Sequence, residues 1–176
     1  MAPKTALHFV CPQSGLGVTL EPGVVRRLSE VAARALPNET GGVLVGRYLA
    51  NRTIAQVEDL STATGDSKAS PRSFVRGTRR LANWLQCCLN LRGQTYLGEW
   101  HTHPGELPHP SRRDVDSIRE IAASPAMERP ETILVILGGD LRSKPSFHVS
   151  VITAHVHLRL EERSNSPATG AEGDSK

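Results

Sequence analysis

Aromatic side chains are few: two Trp, two Tyr and three Phe make up 4% of the 176 residues. A core without many rings has to be built mostly from Val, Leu, Ile and Ala. Cysteine is scarce too. Three thiols, Cys11, Cys87 and Cys88, cannot all pair within one chain, and two neighbours on a helix are poorly placed to bond each other. A disulfide framework is therefore excluded, and a reducing, cytoplasmic setting is expected. No apolar run approaches the roughly 18 residues of a membrane span, and the opening "MAPKTALHFV" lacks the charged and apolar regions of an export signal. Neither a membrane association nor export is expected. Long basic runs are missing as well. The net charge is +3, and the densest basic clusters are the pairs Arg26-Arg27, Arg79-Arg80 and Arg112-Arg113, so nucleic acid is not expected as a partner. Lysine is nearly absent, since 17 of the 21 basic residues are Arg. That bias suits carboxylate or phosphate partners, which the guanidinium binds as a planar fork.

What is present is ordinary for a globular chain: 38% hydrophobic and 22% charged residues. The length suits one domain, expected over residues 1–162, with a small, polar and disordered tail over 163–176. After an extended N-terminal piece, "EPGVVRRLSEVAARAL" places Val24, Val25, Leu28, Val31, Ala32 and Ala35 on one helical stripe, starting near Pro22. "GGVLVGRYLA" is a nearly continuous apolar run, read as a strand buried on both faces, and a turn near Asn51 joins it to the strand "RTIAQVEDLS". Residues 61–73, rich in Ser, Thr, Gly and Pro, are expected to form a mobile, substrate-facing loop. "RRLANWLQCCLNL" predicts a second amphipathic helix with Leu81, Trp84, Leu85, Cys88 and Leu91 inward, ending near Gly93. A strand "QTYLGEWHTH", a helix "SRRDVDSIREIAAS" with Val115, Ile118, Ile121 and Ala122 inward, and a buried strand "ETILVILGG" follow. In "SFHVSVITAHVHLRLE" the alternation changes phase between Ile152 and Ala154, which requires a bulge, a bend or two strands. The sum is an α/β fold with a mixed sheet between helices.

The chemistry concentrates in "GEWHTHPGELPHPSRRD". On an extended strand residues two apart point the same way, so His101 and His103 can offer both imidazoles to one divalent ion such as zinc. Catalytic zinc sites use three protein ligands and leave one position to water, and Asp114 is the candidate third ligand. Pro104, Pro108 and Pro110 stiffen the intervening loop, and Ser111 opens a helix whose positive end favours a carboxylate at 114. Ser-x-x-Asp is equally a capping box, and both readings stand. The pair His155 and His157 has no following carboxylate turn and is not expected to bind metal; His8, His109 and His148 are read as surface or supporting residues. Glu99 and Glu39 are the two candidate general bases. Spacing does not choose between them, although the Gly41-Gly42 pair lets backbone approach closely and places Glu39 at a crowded site. No Gly-Lys-Ser/Thr follows those glycines, so they are not a phosphate loop.

Glu39, then His101-x-His103-Pro104, six residues, Ser111, two residues and Asp114 resembles the JAMM motif of the JAB/MPN (Mov34) zinc metalloprotease family, with "ETGGVLVG" in the matching helix-to-strand context. The resemblance spans residues 20–155. It implies a curved mixed β-sheet flanked by helices, in cytidine-deaminase-like layers, that cleaves isopeptide or peptide bonds after ubiquitin or ubiquitin-like modifiers. It further implies that His101, His103 and Asp114 hold Zn2+, that Glu39 is the general acid/base, that Ser111 steadies the oxyanion, and that Glu99 is a neighbour of the site. The stretches "SFVRGTRR" and "YLGEWHTHPGELPHPS" are similar to stand-alone bacterial JAB peptidases of CBASS antiphage operons. Those enzymes accompany E1/E2-like proteins and release a cGAS-like nucleotidyltransferase from targets joined to its C terminus. The implied partner is a protein substrate with an extended C-terminal tail, clamped along a strand edge by residues 61–73. Other readings are a deconjugase of a sulfur-carrier ubiquitin-like protein, a zinc-free MPN scaffold, and a RadC-like DNA-associated module. A pI near 9.0 suits the last of these, whereas scattered Arg pairs do not.

Overall fold

A computed structural model of the chain describes residues 5–49, 52–125 and 129–163. Asn51 and the expected tail beyond Arg163 lie outside the described residues. Among the described residues, ten strands and three helices follow in the order β1 (Leu7–Val10), β2 (Gly17–Leu20), α1 (Pro22–Ala35), β3 (Gly41–Leu49), β4 (Ile54–Leu60), β5 (Lys68–Ser70), β6 (Ser73–Val75), α2 (Leu81–Arg92), β7 (Thr95–Pro104), α3 (Arg112–Ala122), β8 (Thr132–Asp140), β9 (Lys144–Ile152) and β10 (His157–Glu162).

Eight of the strands form one mixed sheet in the order β2-β4-β3-β7-β8-β9-β10-β1, parallel at β2/β4 and β7/β8 and antiparallel elsewhere. β1 also pairs with β2, so the sheet curls round until its edges meet. Alternation along β8 divides the two faces. Ile133, Val135 and Leu137 join the large cluster that buries Val24, Val25, Leu28 and Ala32 of α1, while Leu134 and Ile136 meet Val115 and Ile118 of α3. β7 lies between β3 and β8 in the middle of this sheet, and its register sets His101 and His103 beside Ile136 and Gly138, on the α3 face.

α1 and α3 bury the stripes their periodicity predicts, and β3 is buried from Gly41 to Gly46. α2 departs from expectation. Only Cys88 is buried, Trp84 and Leu85 are half-buried, and Leu91 is 81% exposed rather than inward. The helix rests on β7 along a narrow line, and polar contacts hold its end, where Arg92 donates to Asp59 Oδ2 at 2.9 Å and to Cys88 Sγ at 3.1 Å.

Residues 61–73 are not an open loop either. They contain β5 and lead into β6, a two-stranded hairpin outside the main sheet. The Asp66 carboxylate ties its base by accepting from the Thr64 hydroxyl at 2.7 Å and the Thr78 N–H at 3.0 Å. The phase change after Ile152 is a reversal between two strands, where Thr153 Oγ1 accepts from the N–H groups of His155 and Val156.

Candidate active site

His101 and His103 point the same way from β7, and their Nε2 atoms stand 3.0 Å apart. α3 begins opposite them. Asp114 Oδ1 lies 3.4 Å from His101 Nε2, and Oδ2 lies 3.7 Å from His103 Nε2. A tetrahedral ion with bonds of about 2.0–2.1 Å needs ligand atoms roughly 3.3–3.4 Å apart, and the Oδ1 to His101 separation of 3.4 Å meets that value. Two imidazole nitrogens and one carboxylate oxygen are a donor set suited to a divalent metal, so the residues present fit one.

The electrostatics agree with that use. Burial pushes the His103 ring below its ordinary pKa, and the neighbouring His101 adds to this, against the opposing charges of Asp114 and Glu106. A neutral ring keeps its lone pair for a metal. Burial acts to raise the Asp114 carboxyl, but hydrogen bonds and charge from His101 and Ser111 outweigh it and hold the group well below the usual carboxylate range. Both sequence readings of Ser111 and Asp114 hold at once. Ser111 Oγ accepts the Asp114 N–H at 3.2 Å, and Asp114 Oδ2 accepts the Ser111 N–H at 2.7 Å, a reciprocal cap. Ser111 also acts on the Asp114 carboxylate through its side chain, and it lines the same cleft as Asp114.

Glu39 stands just before β3. Thr40 N–H donates to the buried Thr102 Oγ1 at 3.0 Å, and Thr102 N–H donates to the Thr40 carbonyl at 2.9 Å. This pairing brings Glu39 to the strand that carries both histidines. Gly41, opposite His101, has no room for a side chain: a Cβ there would lie 2.9 Å from His101 Cβ and 2.8 Å from the Phe74 ring. Burial, helped by the charges of Asp114 and Glu106 and opposed by His101, raises the Glu39 pKa above the ordinary carboxylate value. Glu39, His101, His103, Ser111 and Asp114 all line one cleft of about 460 Å³. Its walls include Phe74 and Val75 of β6 and Ile118 and Ile121 of α3.

Glu99 shares the face of the histidines, as alternation predicts, but both its oxygens are engaged. Arg76 reaches them with Nε and Nη2 at 2.8–3.1 Å, and Tyr96 donates its hydroxyl to Oε1 at 3.4 Å. Sequence reasoning missed Arg76 and the Thr40–Thr102 lock. A threonine on the core-facing side of β7, out of step with its apolar neighbours, was the available signal for the latter. Of the two readings of His148, the surface one is excluded: it is buried at 6% exposure, with its ring centroid 6.3 Å from that of His157. His8 pairs with Thr19 Oγ1 at 3.1 Å, and His109 and His155 are exposed.

A family model described as prokaryotic homologues of the JAB domain matches residues 21–158. The chain belongs to this family. Among JAB-domain homologues, it is 34% identical over 134 residues to a CD-NTase/cGAS isopeptidase of Enterobacter hormaechei, covering 76% of this chain and 74% of that protein. Another CD-NTase/cGAS isopeptidase, from Vibrio cholerae, is 32% identical over 118 residues, 66% of this chain and 71% of that one. A probable metalloprotease of Sinorhizobium fredii is 26% identical over 125 residues, 69% and 76% of the two chains. The JAB-like fold is shared with a Desulfitobacterium hafniense protein of known solution structure, with a TM-score of 0.60 at 24% identity over 83% of this chain and 89% of that one.

Proposed function

We propose that this JAB-domain homologue is a zinc isopeptidase. Its substrate is a protein with an extended C-terminal tail, a cGAS-like nucleotidyltransferase or a ubiquitin-like modifier, joined through that tail to a target amine. The observation that carries the reading is the convergence of His101, His103 and Asp114, with Glu39 and Ser111 in the same cleft, in a chain similar to proteins named CD-NTase/cGAS isopeptidases. On this reading the protein acts in the cytoplasm and undoes E1/E2-type conjugation in antiphage defence.

His101, His103 and Asp114 would hold Zn2+, which when bound polarises a scissile carbonyl and lowers the pKa of water to about 7. Glu39 takes a proton from the attacking water as its oxygen bonds to the carbonyl carbon. As the carbon–nitrogen bond breaks, Glu39 passes that proton to the leaving amine, so one carboxylate serves both transfers. The Ser111 hydroxyl donates to the oxyanion as charge develops. Glu99, held on both oxygens by Arg76, is not free to exchange protons, which favours Glu39 as the base. The tail lies extended in the cleft against the β5–β6 hairpin.

The test is cleavage of a cGAS-like nucleotidyltransferase conjugated through its C terminus to a lysine. Purified protein is expected to carry about one zinc per chain and to release the free nucleotidyltransferase. Chelation abolishes release, and added zinc restores it. Undiminished cleavage after the metal has been removed, or a purified chain that binds no zinc, overturns the reading.

A further inference from the structure

We infer that Arg76 is a positioning residue for this reaction: its grip on Glu99 seats the β5–β6 hairpin so that the Ser70 carbonyl holds the backbone of Glu39. The inference rests on the reading of Glu39 as the proton carrier.

The hairpin shares no ladder with the eight-stranded sheet, so its place over the cleft depends on particular contacts. One is polar and main-chain, the Glu39 N–H donating to the Ser70 carbonyl at 2.9 Å. Another is steric, with the Phe74 ring laid against the bare backbone of Gly41. The third is Arg76, the residue directly after β6. It meets Glu99 Oε1 at 2.8 Å through Nη2 and Oε2 at 2.9 Å through Nε, with the two side chains 22% and 14% exposed. A bidentate fork fixes orientation as well as distance, and partial burial spares it the screening that weakens surface pairs. Glu99 is itself anchored on the central strand two residues before His101, and Arg76 Nη1 also donates to the Gly77 carbonyl at 3.3 Å. The pair therefore references the hairpin to the strand that carries both histidines. Through Ser70, the hairpin in turn references the segment that carries Glu39. Without the fork, the Ser70 contact loses its support on the far side of the hairpin, and Glu39 is no longer held at a fixed reach from the cleft.

The experiment compares Arg76→Met, Arg76→Lys, Glu99→Gln and the exchange Arg76→Glu/Glu99→Arg with the wild-type chain. Each is measured for kcat and KM on the conjugate, for bound zinc, and for amide hydrogen exchange at Glu39 and Thr102. Arg76→Met is expected to lower kcat by about ten- to a hundredfold, as small misplacements of a reacting group do. Zinc content and Thr102 protection stay at wild-type level while the Glu39 amide exchanges faster. Arg76→Lys and Glu99→Gln fall between, and the exchanged pair recovers part of the loss. Wild-type kcat with unchanged exchange at Glu39 in Arg76→Met overturns the inference. So does a loss shared with zinc content or with protection along all of β7, since Arg76 would then support the fold at large. If Arg76→Met does not fold, the same outcomes are read from Glu99→Gln. Glu39→Gln separates the two levels: activity in that variant defeats the proposed role of Glu39, whereas an inactive Glu39→Gln beside a fully active Arg76→Met defeats only the role of Arg76.

Discussion

Asp114 divides its carboxylate between the cap of α3 and the two histidine rings, so the helix that presents it also orients it. Ser111 is similarly shared. Replacing Ser111 by Ala is expected to cost about 1 kcal/mol of stability through the lost cap and to lower kcat about a hundred- to a thousandfold through the lost oxyanion donor. Denaturant titration and steady-state kinetics read the two effects apart, and a variant with intact kcat removes Ser111 from the chemistry. For Glu39→Gln, a loss of about 10²–10⁴ in kcat with full zinc content is expected. In the metal-free chain the raised Glu39 pKa means that the base form is lost on acidification at a higher pH than for an ordinary carboxylate. NMR titration of the zinc-free chain should therefore show Glu39 losing its charge above the usual carboxylate range, a step that Glu39→Gln removes. A step at or below the usual range would show that burial does not raise this carboxyl. At this level the motif residues were legible, because Glu39, His101, His103, Ser111 and Asp114 stand at recognisable spacing. The choice between Glu39 and Glu99 was not, since it turns on Arg76, which lies 23 positions before Glu99 in the chain.

Two elements show where periodicity succeeds and where it fails. β7 carries alternate duties: Glu99, His101 and His103 on one face, Trp100 and Thr102 buried on the other. Thr102→Val keeps the shape but strips Thr40 N–H of its partner, and should cost about 1–3 kcal/mol. It should also lower activity, because that bond brings Glu39 to the histidines. Thermal unfolding and kcat measured together check both, and a variant as stable and as active as wild type would show the bond to be dispensable. α2 has a helical pattern yet buries little. Leu91→Lys should change stability by no more than about 0.5 kcal/mol, as for other exposed positions, whereas a residue packed inward as the pattern predicts would cost several times that. Periodicity reports which side chains could share a face, not how much of that face a neighbour covers.

Across the whole molecule, the sheet face under α3 holds the metal-type cluster at one side and a set of buried polar groups at the other. Arg119 Nε, Thr132 Oγ1, both His148 ring nitrogens, Ser150 Oγ and His157 Nε2 are buried there without a partner among the described residues. Burial, with Arg159, His157 and His109 nearby, lowers His148 to about 4 from its ordinary 6.5. The folded state therefore favours the neutral ring. Its contribution is intact above the unfolded pKa and is lost as pH falls from about 6.5 to about 4, by something on the order of 3 kcal/mol in total. Denaturation midpoints compared at about pH 7 and pH 4.5 should show this loss in the wild type and a smaller one in His148→Phe. An equal loss in both would locate acid sensitivity elsewhere. The sequence by itself determined α1, α3, the buried strands, the absence of a disulfide framework and the five motif residues, because local periodicity and short fixed spacings depend on near neighbours. Only the tertiary structure decided that β1 closes the curled sheet onto β2, that α2 lies shallow, that residues 61–73 build a hairpin at the cleft, and that Arg76 occupies Glu99. Each of these depends on which distant segments come into register, and register follows from packing of the whole sheet.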